Sequence, residues 1–400
     1  MRRGKIYLYL IVNVIYFSLQ TPKNISMPYK GFNYLISCQI KVGSLEKIAY
    51  YPINNKLNFT WIGQRDYKSL DSPTAKTNGI NIIDIGTEKY NALDIIDNIS
   101  LSDSIPPIPY RFYQTSVQSY IVKDSGFAFA YKFDNEDFSI VHQLKKNNIT
   151  DYLSYTVSPF EKDENYHGLI YFGKFPRKII QGKHVGKCKV NDKYSSWYCT
   201  LKSVSIGNKQ FYNKDDMAIS TINGDITIPK AFFNFLELEV FDIKNNKCKV
   251  VTESKKNSSF FMCIRAYVEE FKGTVDFIIG DYKLSLPLHK FFDCNSLQLC
   301  QSSFVYRTTI EDNLWIIGYS FYINYITTFD YEKGEILFYS NERIKKVYDN
   351  EHLEIVGIYT ECNYFSIIIS LYIILISGCC IIIIDKIKRD IYNTKINRFF

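Results

Sequence analysis

Ten cysteines and five histidines give this 400-residue chain its richest chemistry. A zinc site would need them clustered, as Cys-x-x-Cys pairs or a His-Glu-x-x-His helix, because tetrahedral coordination draws on short regular spacings. Neither pattern occurs, and the histidines stand singly at 142, 167, 184, 289 and 352. No metal and no cofactor is therefore expected. Cys379 and Cys380 fall inside a long apolar run, which leaves Cys38, Cys188, Cys199, Cys248, Cys263, Cys294, Cys300 and Cys362. An even number in an oxidising compartment suggests disulfides, and spacing alone does not choose the pairs. Ser220 has no evident histidine partner, so it reads as a hydrogen-bonded serine rather than a nucleophile. Asp225 closes Asn223-Gly224-Asp225, the common setting of a turn-forming aspartate.

The elements that must position these residues are mostly strands. Tyr (33) and Phe (29) are abundant, and short alternating or β-branched runs recur. They lie at 34–42, 80–85, 97–101, 168–172, 199–206, 274–279, 315–317 and 335–339, separated by turn signals such as Gly207-Asn208 and Gly280-Asp281. Residues 138–147 and 229–235 read as brief helices. A mainly β architecture follows. The net charge of +7 is spread without a basic stripe or binding motif, which excludes a nucleic-acid partner.

Both ends carry membrane-traffic signals. Arg2, Arg3 and Lys5 precede the apolar stretch Ile6 to Leu19, the pattern of a signal peptide over 1–22. Residues 364–384 form a 21-residue apolar run, about 31 Å as a helix and long enough to span a bilayer. Lys386, Lys388 and Arg389 follow at once, so the positive-inside rule places 385–400 in the cytosol. The expected product is a type I single-pass protein, with a stalk over 346–363 and its ectodomain in the secretory lumen or at the cell surface. Asn24, Asn58, Asn98, Asn148 and Asn257 head glycosylation sequons in that ectodomain.

Leu314-Trp315-Ile316-Ile317-Gly318-Tyr319-Ser320-Phe321, followed by Tyr325-Ile326-Thr327-Thr328-Phe329-Asp330, resembles the Trp-Ile-Leu-Gly-Asp-x-Phe and Tyr-x-x-Phe-Asp signature of pepsin-like aspartic proteases, the plasmepsins among them, with Tyr319 in place of the Asp. Other segments match in the family's order. Gly168 to Gly173 resembles the interlobe strand, and Trp197 to Gly207 the Trp-x-x-x-Leu-x-x-Val-x-Val-Gly segment. The resemblance implies a bilobal pepsin-like fold, with an N-terminal lobe over 28–167 and a C-terminal lobe over 168–345. It also implies a Cys263–Cys300 disulfide in the second lobe; Cys248–Cys294 and Cys188–Cys199 are guesses beside it.

Where the family carries Asp-Thr/Ser-Gly, this chain has Asn54-Asn55-Lys56 and Ser220-Thr221-Ile222. Ile85-Gly86-Thr87 stands at the flap's Tyr-Gly-Thr. The resemblance therefore places the former dyad at Asn54 and Ser220 and the flap at Ile85. It makes Lys56, Trp61, Gly86, Thr87, Thr221 and Ile222 cleft candidates, although a tryptophan such as Trp61 is more often a core wall. Thr221 alone keeps the hydroxyl type that ties the lobes together. Aspartic proteolysis needs two close carboxylates sharing a proton, and a neutral amide and a hydroxyl cannot supply that. The expectation is a non-catalytic homologue that binds a peptide or protein. The rivals are a divergent aspartic endopeptidase using Asp225, and a structural surface protein.

Overall fold

The β-branched runs become strands close to where the sequence puts them. A computed structural model describes residues 25–340 except 33–34, 45–47, 65, 86–87, 103–104, 117–125, 160–167, 176–181, 222–223, 255–256, 295–297, 310–312 and 323. The expected runs 168–172 and 274–279 coincide with the strands Gly168–Phe172 and Thr274–Ile279. The run at 97–101 is only the end of a longer strand, Glu88–Ser100, whose polar first half hid it. Both brief helices form, as Ile140–Lys146 and Lys230–Phe235. Ser139 caps the first by accepting the His142 N–H, which satisfies one of the helix's unpaired donors.

The described strands assemble into sheets of thirteen and ten strands. The first sheet draws on both halves of the chain: Gly168–Phe172, His184–Lys189, Tyr325–Asp330 and Glu335–Ser340 join strands of the first half. Almost all pairing is antiparallel. The parallel exceptions among the described residues occur in matching places, two in each half.

In the first half, Ile48–Asn54 runs parallel to Phe127–Ala128, and Trp61–Gly63 runs parallel to Ile108–Thr115. In the second, Lys209–Ile219 runs parallel to Leu314–Ile317, and Ile226–Ile228 runs parallel to Leu299–Arg307. Parallel neighbours require crossovers, so these pairs mark one knot of chain built twice. Each knot contains one of the loops singled out in the sequence, at Asn54 and at Ser220. Gly126 illustrates how tightly the first is wound. Its φ is +128°, and a Cβ there would lie 2.2 Å from the Pro52 carbonyl oxygen, so only glycine fits.

Aromatic side chains fill the space between the knots. Trp197 is fully buried, donates from Nε1 to the Phe129 carbonyl at 2.7 Å, and packs against Tyr131, Phe329 and Tyr331. Trp315 donates to the buried Asp215 carboxylate at 2.9 Å. Each indole thus buries its body and still places its N–H.

Three disulfides are present among the described residues, and they correct the expected pairing. Cys188–Cys199 forms as expected. Cys263 pairs with Cys248 rather than Cys300, and Cys294 pairs with Cys300 rather than Cys248. The reason lies in the register. Cys263 sits on Ser258–Ile264 between two neighbouring strands, with Cys248 opposite it on one side and Cys300 on the other. Both are cross-strand neighbours, and the resemblance pointed to the wrong one. Cys38 is a free buried thiol whose pKa burial pushes up.

Among the described residues no helix is long and apolar enough to cross a membrane. The expected signal peptide, stalk, spanning run and cytosolic tail lie outside the described residues, as do Cys362, Cys379 and Cys380.

Candidate functional site at the paired loops of Asn54 and Ser220

Asn54 ends the strand Ile48–Asn54, and Ser220 follows the strand Lys209–Ile219. Both loops turn inward at the end of a parallel pairing, which places the two residues in equivalent positions. The next residues bind each other. Asn55 N donates to Thr221 Oγ1 at 3.2 Å, and Thr221 N donates to Asn55 Oδ1 at 3.1 Å. Thr221 Oγ1 in turn donates to the Ile53 carbonyl, and Asn55 Nδ2 donates to the Ile219 carbonyl.

This clasp is symmetric in its chemistry. Each loop offers a backbone N–H and a backbone carbonyl to one side chain of the other. The Thr221 hydroxyl does both jobs with a single oxygen, while the Asn55 amide divides them between Oδ1 and Nδ2. Sequence reasoning credited Thr221 alone with tying the loops, and Asn55 is the correction. The available signal was its side-chain type: an amide, like a hydroxyl, both donates and accepts. Ser196 Oγ donates to the Asn55 carbonyl, and Ile36 N donates to the Thr221 carbonyl, so neighbouring elements brace both turns.

Asn54, Asn55, Ser220 and Thr221 are all 0% exposed. Asn54 Oδ1 accepts the Lys56 N–H at 3.0 Å, an Asx turn that fixes the side chain toward its own backbone. Lys56 is partly exposed. Neither Asn54 nor Ser220 carries a carboxylate. Asp225 lies at the partly exposed start of the Ile226–Ile228 strand and is paired with Arg307 at 3.2 Å.

The other cleft candidates divide. Trp61 is buried with Ile83 and Ala92 and bridges to Gly126, so it is a wall and presents no surface to a ligand. Ile85 pairs with Glu88 where the hairpin of Lys76–Ile85 and Glu88–Ser100 turns. Gly86, Thr87 and Ile222 lie outside the described residues. Among the described residues the hairpin's first strand pairs with its partner strand alone, and it holds Ile80 and Ile82 at 70% and 71% exposure. Its second strand is anchored by Asp94, which accepts two hydrogen bonds from Arg111 and a third from Asn81.

No cluster of metal-ligating side chains occurs among the described residues. One surface pocket of about 310 Å³, lined in part by Glu136, Asp137, His142, Lys145 and Lys146, involves none of the clasp residues. Its lysines are paired, Lys146 with Asp137 of the same pocket at 2.9 Å and Lys145 with Glu332, which is not among the lining residues, at 2.7 Å.

The profile of the eukaryotic aspartyl protease family matches residues 63–340, more than half of the chain. The chain belongs to that family. The aspartic proteinase from Irpex lacteus has a similar structure, with a TM-score of 0.64 over 80% of this chain and 98% of that one. At 13% identity the likeness is one of fold. No curated protein matches the sequence. The family match begins at Gly63, after the Asn54 loop, so equivalence of the two loops rests on their shared parallel pairing and on the clasp.

Proposed function

We propose that this is a non-catalytic member of the aspartyl protease family, anchored in a membrane, that works by binding a peptide or protein. The observation that carries the reading is the identity of the two paired-loop residues: Asn54 and Ser220 are neutral, and both are buried. Peptide hydrolysis by this fold needs one carboxylate to take a proton from water and a second to give one to the leaving group. A side-chain amide takes no proton near any working pH, and a serine hydroxyl is not an acid there. Each general acid–base role is worth typically about 10²–10⁴ in rate, so losing both removes useful turnover. Asp225 is a poor candidate for the missing base, because it pairs with Arg307 and the first loop, Asn54-Asn55-Lys56, has no Asp or Glu in its sequence.

The apolar run at 364–384 with its basic flank supports the anchor, and the disulfides are consistent with a secretory route. The open face of the hairpin, with Ile80 and Ile82 exposed, gives the apolar surface that a peptide or protein partner would contact. Binding without cleavage is the distinguishing behaviour. Purified chain incubated with a complex peptide mixture should retain a subset of peptides whose masses equal those in the starting mixture. Recovery of fragments with new termini, in proportion to incubation time, would count against the proposal.

A further inference from the structure

Four cysteines in and beside the ten-stranded sheet stand in one row. Cys263, on Ser258–Ile264, has Cys248 directly opposite it on Cys248–Glu253 and Cys300 directly opposite it on Leu299–Arg307. The two are on different neighbouring strands, so they flank Cys263 from opposite sides. Cys294 extends the row. Gln301 pairs with Met262 on one side and with Asp293 on the other, so Phe292–Asp293 lies beyond Leu299–Arg307. Cys294 follows Asp293 and bonds to Cys300. The order across the sheet is therefore Cys248, Cys263, Cys300, Cys294, with disulfides joining the two outer pairs.

The gap in the middle is itself of disulfide size. Directly opposed residues on antiparallel strands hold their Cα atoms about 4.5–5.5 Å apart, with both side chains on one face. Disulfides span about 4.4–6.8 Å between Cα atoms, so Cys263 and Cys300 can bond without movement of either strand. The row also has the alignment that exchange requires. A thiolate displaces one sulfur of a disulfide along the line of the bond it breaks. Cys300 faces the Cys248–Cys263 bond from the side away from Cys248. Access is one-sided: Cys263 and Cys300 are 0% exposed and Cys248 is 3% exposed, whereas Cys294 is partly exposed.

We infer that these cysteines form a two-electron redox switch, triggered at Cys294 by a dithiol reductant, in which Cys248–Cys263 and Cys294–Cys300 give way to a single Cys263–Cys300 disulfide. One thiolate of the reductant attacks Cys294 Sγ and expels the Cys300 thiolate. Cys300 attacks Cys263 Sγ, which forms Cys263–Cys300 and expels the Cys248 thiolate. The reductant's second thiolate then attacks its own sulfur on Cys294, closing the reductant to a disulfide and freeing Cys294. Two electrons and two protons pass from the dithiol to the chain, which ends with thiols at Cys248 and Cys294. The exchange runs forward because the negative charge moves from a strand inside the sheet to Cys248–Glu253, the end of the described strand order, where water solvates it better. Its effect is to untie the end strand and the Cys294 segment while the two strands between them gain a covalent link. The inference stands whether or not the chain cleaves peptides.

The test treats the full chain with equimolar dithiothreitol. The reaction is quenched into denaturant with excess N-ethylmaleimide at mildly acid pH, which stops exchange and labels buried thiols, and the peptides are mapped by mass spectrometry without further reduction. Label is expected on Cys248 and Cys294, with a peptide pair joined through Cys263 and Cys300 and with Cys188–Cys199 intact. Label on Cys248 should exceed label on Cys300 about tenfold, reflecting the poorer solvation of a thiolate inside the sheet. Cys294→Ser runs the same exchange without a reductant: the Cys300 thiol it leaves should displace Cys248, so the free thiol is found at Cys248. Label on Cys294 and Cys300 with Cys248–Cys263 retained would overturn the inference. So would joint reduction of all three disulfides, no reaction before the chain unfolds, or a free thiol that stays at Cys300 in the variant.

Discussion

Asn55→Ala is expected to destabilise the protein by about 4 kcal/mol, among the larger effects open to a single polar substitution. The Asn55 side chain satisfies two buried backbone groups across the loops, the Thr221 N–H and the Ile219 carbonyl. Removing it strands both, and each buried group left unpaired costs about 1–3 kcal/mol. The replacements should rank by chemistry. Asn55→Thr keeps one atom that donates and accepts, as Thr221 does, and should recover part of the loss. Asn55→Asp keeps the acceptor but loses the donor and sets a charge against the Ile219 carbonyl, so it should be at least as damaging as alanine. Denaturant midpoints at constant m would report the series. A change of under about 0.5 kcal/mol for alanine would mean that the clasp contributes nothing to holding the loops together.

Arg111→Met is the second large effect, expected at about 3–5 kcal/mol. Asp94 is 2% exposed, and Arg111 binds it through both Nε and Nη2. With the guanidinium gone, a buried carboxylate keeps, among the described residues, the Asn81 amide at 3.2 Å as its side-chain partner. The long methionine side chain still covers Phe138, over which the guanidinium carbon lies at 5.2 Å, so lost packing is a minor part of the effect. Adding Asp94→Leu to Arg111→Met removes the stranded charge and should restore most of the stability. Equal losses in the single and double variants would show that the arginine acts through packing alone. The site lies at the base of the hairpin, so the single variant should also raise amide exchange along Lys76–Ile85 before it does so elsewhere.

Much of the fold was legible because short β-branched or aromatic runs set between turn residues read as strands. Thr274–Ile279 and Gly168–Phe172 are bounded by glycine turns and come out end to end. The long hairpin strands were read only in part, since Lys76–Ile85 is exposed along most of its length and carries asparagines where alternation would need apolar residues. The two loops were found from their flanks, Trp61-Ile62 on one side and the Ile226-Thr227-Ile228-Pro229 step on the other. Asn55 was passed over because comparison of residue types looked for a second hydroxyl, whereas the clasp requires only a donor and an acceptor. Two of the three disulfides, those of Cys263 and Cys300, were missed for a different reason. Cys263 has a cysteine opposite it on both sides, and which of two adjacent sulfurs it takes is decided by side-chain geometry, which leaves no trace in spacing.

The claim that Asn54 and Ser220 leave this family member without a catalytic dyad is tested most directly by turnover. Purified full-length chain should be assayed against a mixed peptide substrate between about pH 3 and pH 7, the range in which a shared-proton carboxylate pair works. No cleavage above that of an identically purified Asp225→Asn variant is expected at any pH. Reproducible acid-optimal cleavage by the unmodified chain, blocked by a transition-state-mimicking peptide and abolished by Asp225→Asn, would contradict the reading.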